Sequence, residues 1–158
     1  MENSSKDSAT IRIPPPLFFF ACLGLGLWLE YVFPIHLIRL SLIPRIITGC
    51  IFIIISGCIA ISSFIVLIRH KTPFSTDKLT TKIVTKGSFR FSRNPLYLSL
   101  LLLLFGIAVL MLSIWLFFTI PILYILLLFK AVKPEESYLS QNFGEEYLEY
   151  STKVRRWI

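Results

Sequence analysis

Charged and apolar positions are segregated along this chain. Ile13–Leu29, Ile46–Ile68 and Leu96–Phe129, runs of 17, 23 and 34 residues, contain no Asp, Glu, Lys or Arg. A helix crossing the hydrocarbon core of a bilayer needs about 20 apolar residues. The first run reaches that length if it extends to about Phe33, with Glu30 near its end. The second spans unaided. The third is too long for one crossing and long enough for two short ones. Its weakest points are Gly106, Ser113 and Pro121. A turn near Met111–Ile114 leaves two arms of roughly 17 residues, each about 25 Å long at helical rise. Pro121 is expected to kink the second arm, because it removes a backbone hydrogen bond and crowds the preceding turn. A short, kinked hairpin implies a wet or occupied space at its polar end. The pattern therefore predicts an all-α integral membrane fold with about four transmembrane helices, two of them forming a tight C-terminal hairpin.

The polar stretches divide the remainder. Residues 1–12 read as a polar tail, 13–68 as two spans, 69–94 as a basic loop, 95–132 as the hairpin, and 133–158 as an amphipathic tail helix, all within one domain. In the tail, Pro134 suits a first helical position, and Glu135 and Glu136 suit the partial positive charge of a helix N-terminus. Gly144 reads as a helix stop followed by a restart. Beyond it Tyr147, Tyr150 or Ser151, and Val154 share one face at helical spacing. Residues 1–12 do not read as a cleavable signal, since Pro14–Pro16 interrupt and no small-residue cleavage site follows.

Composition sharpens this picture. The chain has 158 residues, 55% hydrophobic and only 16% charged, with a mean hydropathy of +0.74. A soluble domain has about 25% charged residues. Net charge is +7, but its placement argues against nucleic acid as a partner. Arg69, Lys71, Lys78, Lys82, Lys86, Arg90 and Arg93 crowd one loop against the single acid Asp77, and Lys130, Lys133, Lys153, Arg155 and Arg156 follow the hairpin. Such an excess marks cytoplasmic loops. Two crossings separate the loop from the tail, so both, and the N-terminus, are expected in the cytoplasm. The first loop, Pro34–Pro44, then faces outward despite Arg39. Cys22, Cys50 and Cys58 all lie in apolar runs without metal-ligand spacing, and His36 and His70 are isolated, so no metal site is expected.

Other chemical signatures are missing too. No Gly-rich loop follows a strand, and there is no Walker-type lysine motif and no nucleophile elbow. Gly24 and Gly26 read as close helix packing. What remains is a pair of polar clusters at the membrane boundary, residues 84–97 and 134–158. In order they supply Val84-Thr85-Lys86-Gly87, Arg93-Asn94-Pro95-Leu96-Tyr97, a hairpin-length apolar run, Glu135-Glu136, Phe143-Gly144-Glu145-Glu146-Tyr147-Leu148-Glu149-Tyr150, and Val154-Arg155-Arg156.

This order resembles the isoprenylcysteine carboxyl methyltransferase and phospholipid methyltransferase superfamily of integral membrane enzymes, over residues 82–158. Asn94 stands where carboxyl methyltransferases usually carry His, and Arg155 where the tail usually has Pro, which leaves the acceptor open. The resemblance implies S-adenosylmethionine as methyl donor, bound at the cytoplasmic end of the hairpin under the tail. Candidate cofactor-binding residues are Lys86, Gly87, Asn94, Pro95, Tyr97, Glu135, Glu136 and Tyr147; candidate catalytic residues are Arg93, Glu136 and Arg156. The chemistry agrees. Carboxylates bind an ammonium or ribose hydroxyls, and arginines bind carboxylates by a bidentate fork. Pro95 forces Asn94 out of helical geometry. A helix starting at Pro95 directs free N–H groups at an anion. Tyrosine rings pack on adenine or a sulfonium.

Taken singly, these residues have plainer readings. Arg90 and Arg93 can snorkel to headgroups, Tyr97 can belong to an interfacial belt, and Glu135 and Glu136 can be ordinary first-turn charges. Their joint occurrence favours a site for all except Arg90. The implied function is methyl transfer to a lipid-like or prenylated acceptor that enters from the bilayer, as in isoprenylcysteine carboxyl methylation. Phospholipid amine methylation is the alternative. A sterol-reductase-like membrane reductase and a non-enzymatic scaffold are the other classes. Oligomeric state is not encoded in any of these features.

Overall fold

The computed structural model describes residues 13–35, 40–69, 83 and 85–158. Among them there is no strand. The helices are α1 (Pro15–Val32), α2 (Leu42–Arg69), α3 (Pro95–Met111), α4 (Ile114–Leu127), α5 (Lys133–Phe143) and α6 (Glu145–Lys153). Most of the basic loop, including Lys71, Lys78, Lys82 and Val84, lies outside the described residues, as do His36, Arg39 and His70.

Proline opens α1. Pro15 and Pro16 occupy its first turn, where the missing N–H groups have no intrahelical acceptor to lose. The helix closes at Phe33, whose N–H reaches the Leu29 carbonyl at 2.7 Å. α2 has 28 residues and begins at Leu42, so Pro44 and Arg45 belong to its first turn and not to the preceding loop. α1, α2 and the rod from Ile114 to Phe143 are each long and apolar enough to cross a membrane. α3 is shorter, with 17 residues, about 25 Å. The fold is an all-α integral membrane bundle with a tight hairpin, as the charge-free runs predict.

The hairpin turns at Leu112, which is left-handed (φ 51°), and Ser113 caps α4 by accepting the Leu116 N–H at 3.3 Å. The flanking helices secure this turn. Ser113 Oγ donates to Glu30 of α1 at 2.6 Å, and Arg45 of α2 donates to the Leu110 carbonyl. Glu30 thus ends the first span at the pole opposite the polar clusters.

Packing follows side-chain size. α2 lies along α3, and α1 lies along α4. Gly49, Ser56 and Ser63 form the buried stripe of α2. A Cβ on Gly106 would sit 3.1 Å from the Gly49 carbonyl oxygen, and Ser56 Oγ donates to the Ser99 carbonyl at 2.7 Å. Small residues let apolar helices approach closely in lipid. Of the glycine pair in α1, Gly26 packs against Leu116, whereas a Cβ on Gly24 would meet none of the described residues within 4 Å. Leu104, Leu116, Leu123 and Leu127 are fully buried with Phe19 and Cys22 beside them. Ile43, Ile47, Ile54, Ile61 and Phe20 point outward, as lipid-facing residues do.

The second hairpin arm departs from expectation. It does not end before Pro134. α4 contains Pro121 and passes through a π-helical turn, Leu128–Val132, directly into α5. The Lys133 N–H bonds to the Leu128 carbonyl, five residues back. A π turn widens the backbone, which gives the ring of Pro134 the room that a regular helix denies it. Glu135 and Glu136 are therefore held at the end of one rod from the membrane. The expected stop and restart at Gly144 is present, at φ 50° and ψ −120°.

Candidate functional site

The site forms where the start of α3, the first turn of α5, one face of α6 and the last five residues meet. Asn94, at φ −130° and ψ 55°, precedes Pro95 in the first turn of α3. Its side chain does not cap that helix. Asn94 Nδ2 donates instead to the Arg156 carbonyl at 3.2 Å. Ser92 Oγ donates to the same carbonyl at 3.3 Å and accepts the Asn94 N–H at 3.1 Å. The Arg93 N–H donates to the Arg155 carbonyl at 3.0 Å. These bonds to two backbone carbonyls strap Arg155 and Arg156 across the entrance to α3.

Side chains complete the cluster. Arg156 grips Glu136 with a two-pronged fork, Nε to Oε1 at 2.9 Å and Nη2 to Oε2 at 2.8 Å. Arg93 Nη1 lies 3.4 Å from Glu136 Oε1 and donates to the Tyr147 hydroxyl at 3.2 Å. The side chains of Arg93 and Glu136 are each only 15% exposed, and that of Arg156 is 39% exposed. Tyr97 donates to Glu135 at 2.8 Å, which joins the first turns of α3 and α5. Among the described residues, Arg93 Nε and Trp157 Nε1 are buried donors without an acceptor.

Burial tunes the tyrosines. It pushes the Tyr147 hydroxyl above its ordinary range, helped by the Glu136 charge and opposed by the Arg93 hydrogen bond. Tyr150, which donates to the Phe89 carbonyl at 2.7 Å, is pushed up to about 12, mainly by burial and then by Tyr147. Both hydroxyls stay protonated at neutral pH and cannot serve as bases. The hydrogen bond to Glu136 holds Arg156 above its ordinary value.

The structure thus brings together Arg93, Asn94, Pro95, Tyr97, Glu135, Glu136, Tyr147 and Arg156. It places Lys86 and Gly87 differently. Lys86 is exposed, and Gly87 turns against α2 at φ 63°, where a Cβ would lie 2.6 Å from Val66. That contact and the positive φ account for glycine there without a ligand. The neighbouring Ser88 hydroxyl meets that of Ser63 at 2.8 Å. Two contributors escaped the sequence reading. Ser92 is buried, and its neighbours Arg93 and Asn94 were the only hint. Trp157 packs against Tyr124 of α4, with ring centroids 5.3 Å apart, and no periodicity points to that pairing.

Comparison with protein families matches residues 44–146 to the model described as phospholipid methyltransferase. The match runs from the first turn of α2 into α6 and contains Arg93, Asn94, Tyr97, Glu135 and Glu136. No curated protein and no solved structure matches the chain.

Proposed function

The chain belongs to the phospholipid methyltransferase family, and from that premise we propose that it transfers a methyl group from S-adenosylmethionine to a carboxylate on a membrane-embedded, lipid-like acceptor. As a member of this family it is a membrane methyltransferase. The observation that carries the finer reading is the hydrogen-bonding inventory of the cluster. Glu136 already accepts from Arg156 and Glu135 from Tyr97, while the buried groups left over, Arg93 Nε and Trp157 Nε1, are donors. Spare donors recognise oxygen anions and carbonyls. An amine acceptor would instead need a base to take its proton. The alternative, amine methylation of a phospholipid, draws support from the description of the family and would assign that proton to Glu136.

The donor set fits S-adenosylmethionine. Glu136 suits its ammonium, the Tyr97–Glu135 pair its ribose hydroxyls, and the start of α3 its carboxylate. When bound, the sulfonium supplies an electrophilic methyl group that needs no metal. The protein's part is to hold the acceptor carboxylate with Arg156 or Arg93, to pack Tyr147 beside the reacting groups, and to exclude water under the strap. Positioning and a dry site contribute much of the acceleration in such transfers. Thermal unfolding in detergent tests the class: S-adenosylmethionine should raise the midpoint and NADPH should not. Protection by NADPH alone would favour a reductase, and protection by neither a scaffold.

We further propose that both termini and the basic loop face the cytoplasm, because seven basic residues crowd Arg69–Arg93. Cysteines introduced at Ser75, outside the described residues, and at Ser151 should be labelled from the same face of sealed vesicles. Labelling from opposite faces would overturn this orientation.

A further inference from the structure

We infer that Arg156 couples the two substrates by exchanging Glu136 for the acceptor's anionic head; this rests on the function proposed above. Both oxygens of Glu136 are engaged by Arg156, and Arg93 lies 3.4 Å from Oε1. A donor ammonium must therefore compete with an arginine for that carboxylate. Of the two arginines, Arg93 is the more enclosed and also donates to Tyr147. Arg156 is the more exposed. Its backbone is pinned through its own carbonyl to Ser92 and Asn94, and the preceding carbonyl is pinned to the Arg93 N–H. Trp157 anchors the following residue on Tyr124. The guanidinium can thus swing without displacing the strap.

A displaced Arg156 needs a new counter-anion, and an acceptor carboxylate supplies one. Each substrate then lowers the cost of binding the other. Such coupling is reciprocal by thermodynamic necessity and commonly amounts to about 5- to 150-fold in affinity. It also explains a paired Glu136 in a site that must take a cation. The resting ion pair keeps the carboxylate from standing unpaired in a half-buried position, where it would be costly.

The test is calorimetry of S-adenosylmethionine binding to the full chain in detergent. The acceptor probes are S-farnesyl mercaptoethanesulfonate, an anion that resists methylation, and the neutral N-acetyl-S-farnesylcysteine amide. In the wild type the sulfonate should tighten donor binding by about fivefold or more, and the amide should leave it unchanged. Arg156→Gln should bind the donor about fivefold tighter than wild type without any acceptor and should ignore the sulfonate. Arg156→Lys, which keeps the charge without the fork, should fall between them, and it carries the comparison if the glutamine variant fails to fold. If both variants instead weaken donor binding, Arg156 orients Glu136 and the exchange is wrong, while the function proposed above stands. If the wild type binds no S-adenosylmethionine, that function fails and the coupling with it.

Discussion

Glu136→Ala should lower affinity for S-adenosylmethionine by about 10- to 150-fold, the worth of a charge-assisted hydrogen bond of roughly 1.5–3 kcal/mol. The structure gives this expectation a wider reach than a single lost contact. Glu136 is the shared partner of Arg93 and Arg156. Its removal leaves two guanidinium groups facing each other across a largely enclosed space. That repulsion should also lower the unfolding midpoint, since truncating one member of a buried ion pair is destabilising. Glu136→Gln separates the two effects. It keeps the shape and one acceptor oxygen, so the fold should suffer less, yet it cannot neutralise an ammonium. Calorimetry on both variants should find donor binding weakened in each. Unchanged affinity in Glu136→Gln would move Glu136 from the donor to the acceptor side of the site.

A larger effect is expected from the acceptor. The run Leu96–Phe129 carries no charge, and the cluster of Arg93, Glu136 and Arg156 stands at one end of the hairpin it forms. A water-soluble acceptor would need a polar route, and the helices beside the cluster are apolar. We therefore propose that the acceptor arrives sideways from the bilayer, its apolar tail among the helices and its head near Arg93. Each methylene buried in such a groove adds about 0.8 kcal/mol. An acceptor shortened by five carbons should then bind hundreds-fold more weakly, about 4 kcal/mol in total. The measurement is methyl transfer in detergent to a series of analogues with one head group and decreasing chain length. Equal turnover of the longest and shortest at matched low concentration would rule out lateral entry and point to a soluble acceptor.

Much of this architecture is legible in charge and turn chemistry. Absence of charge over Leu96–Phe129 required a turn, and Ser113 could cap the second arm, so the reversal falls at Leu112 and Ser113 as the pattern implies. Gly144 ends one helix and begins another because no other residue adopts its backbone cheaply. The π turn at Leu128–Val132 is a different matter. One extra residue in a helical turn leaves the hydrophobic periodicity almost intact, and Pro134 reads equally well as the start of a helix or as a tenant of a widened one. The strap is hidden for a related reason. It is held by the carbonyls of Arg155 and Arg156, and a backbone acceptor has no side-chain signature. Gly87 shows the converse. It sits inside a motif that implies a ligand, while its positive φ and the approach of Val66 give it a packing role. Arg93, Asn94, Tyr97, Glu135 and Glu136 were recoverable only as a set, because each alone is an ordinary residue of a membrane boundary.

The central claim is methyl transfer at that boundary. Its most direct test is to incubate the purified protein with methyl-labelled S-adenosylmethionine and a total membrane extract, and then to follow the label. The account predicts label in the lipid-extractable fraction, released by mild base as an ester would be. Base-stable label would establish an amine or thioether acceptor in place of the carboxylate, and the absence of protein-dependent label in any membrane component would contradict the account.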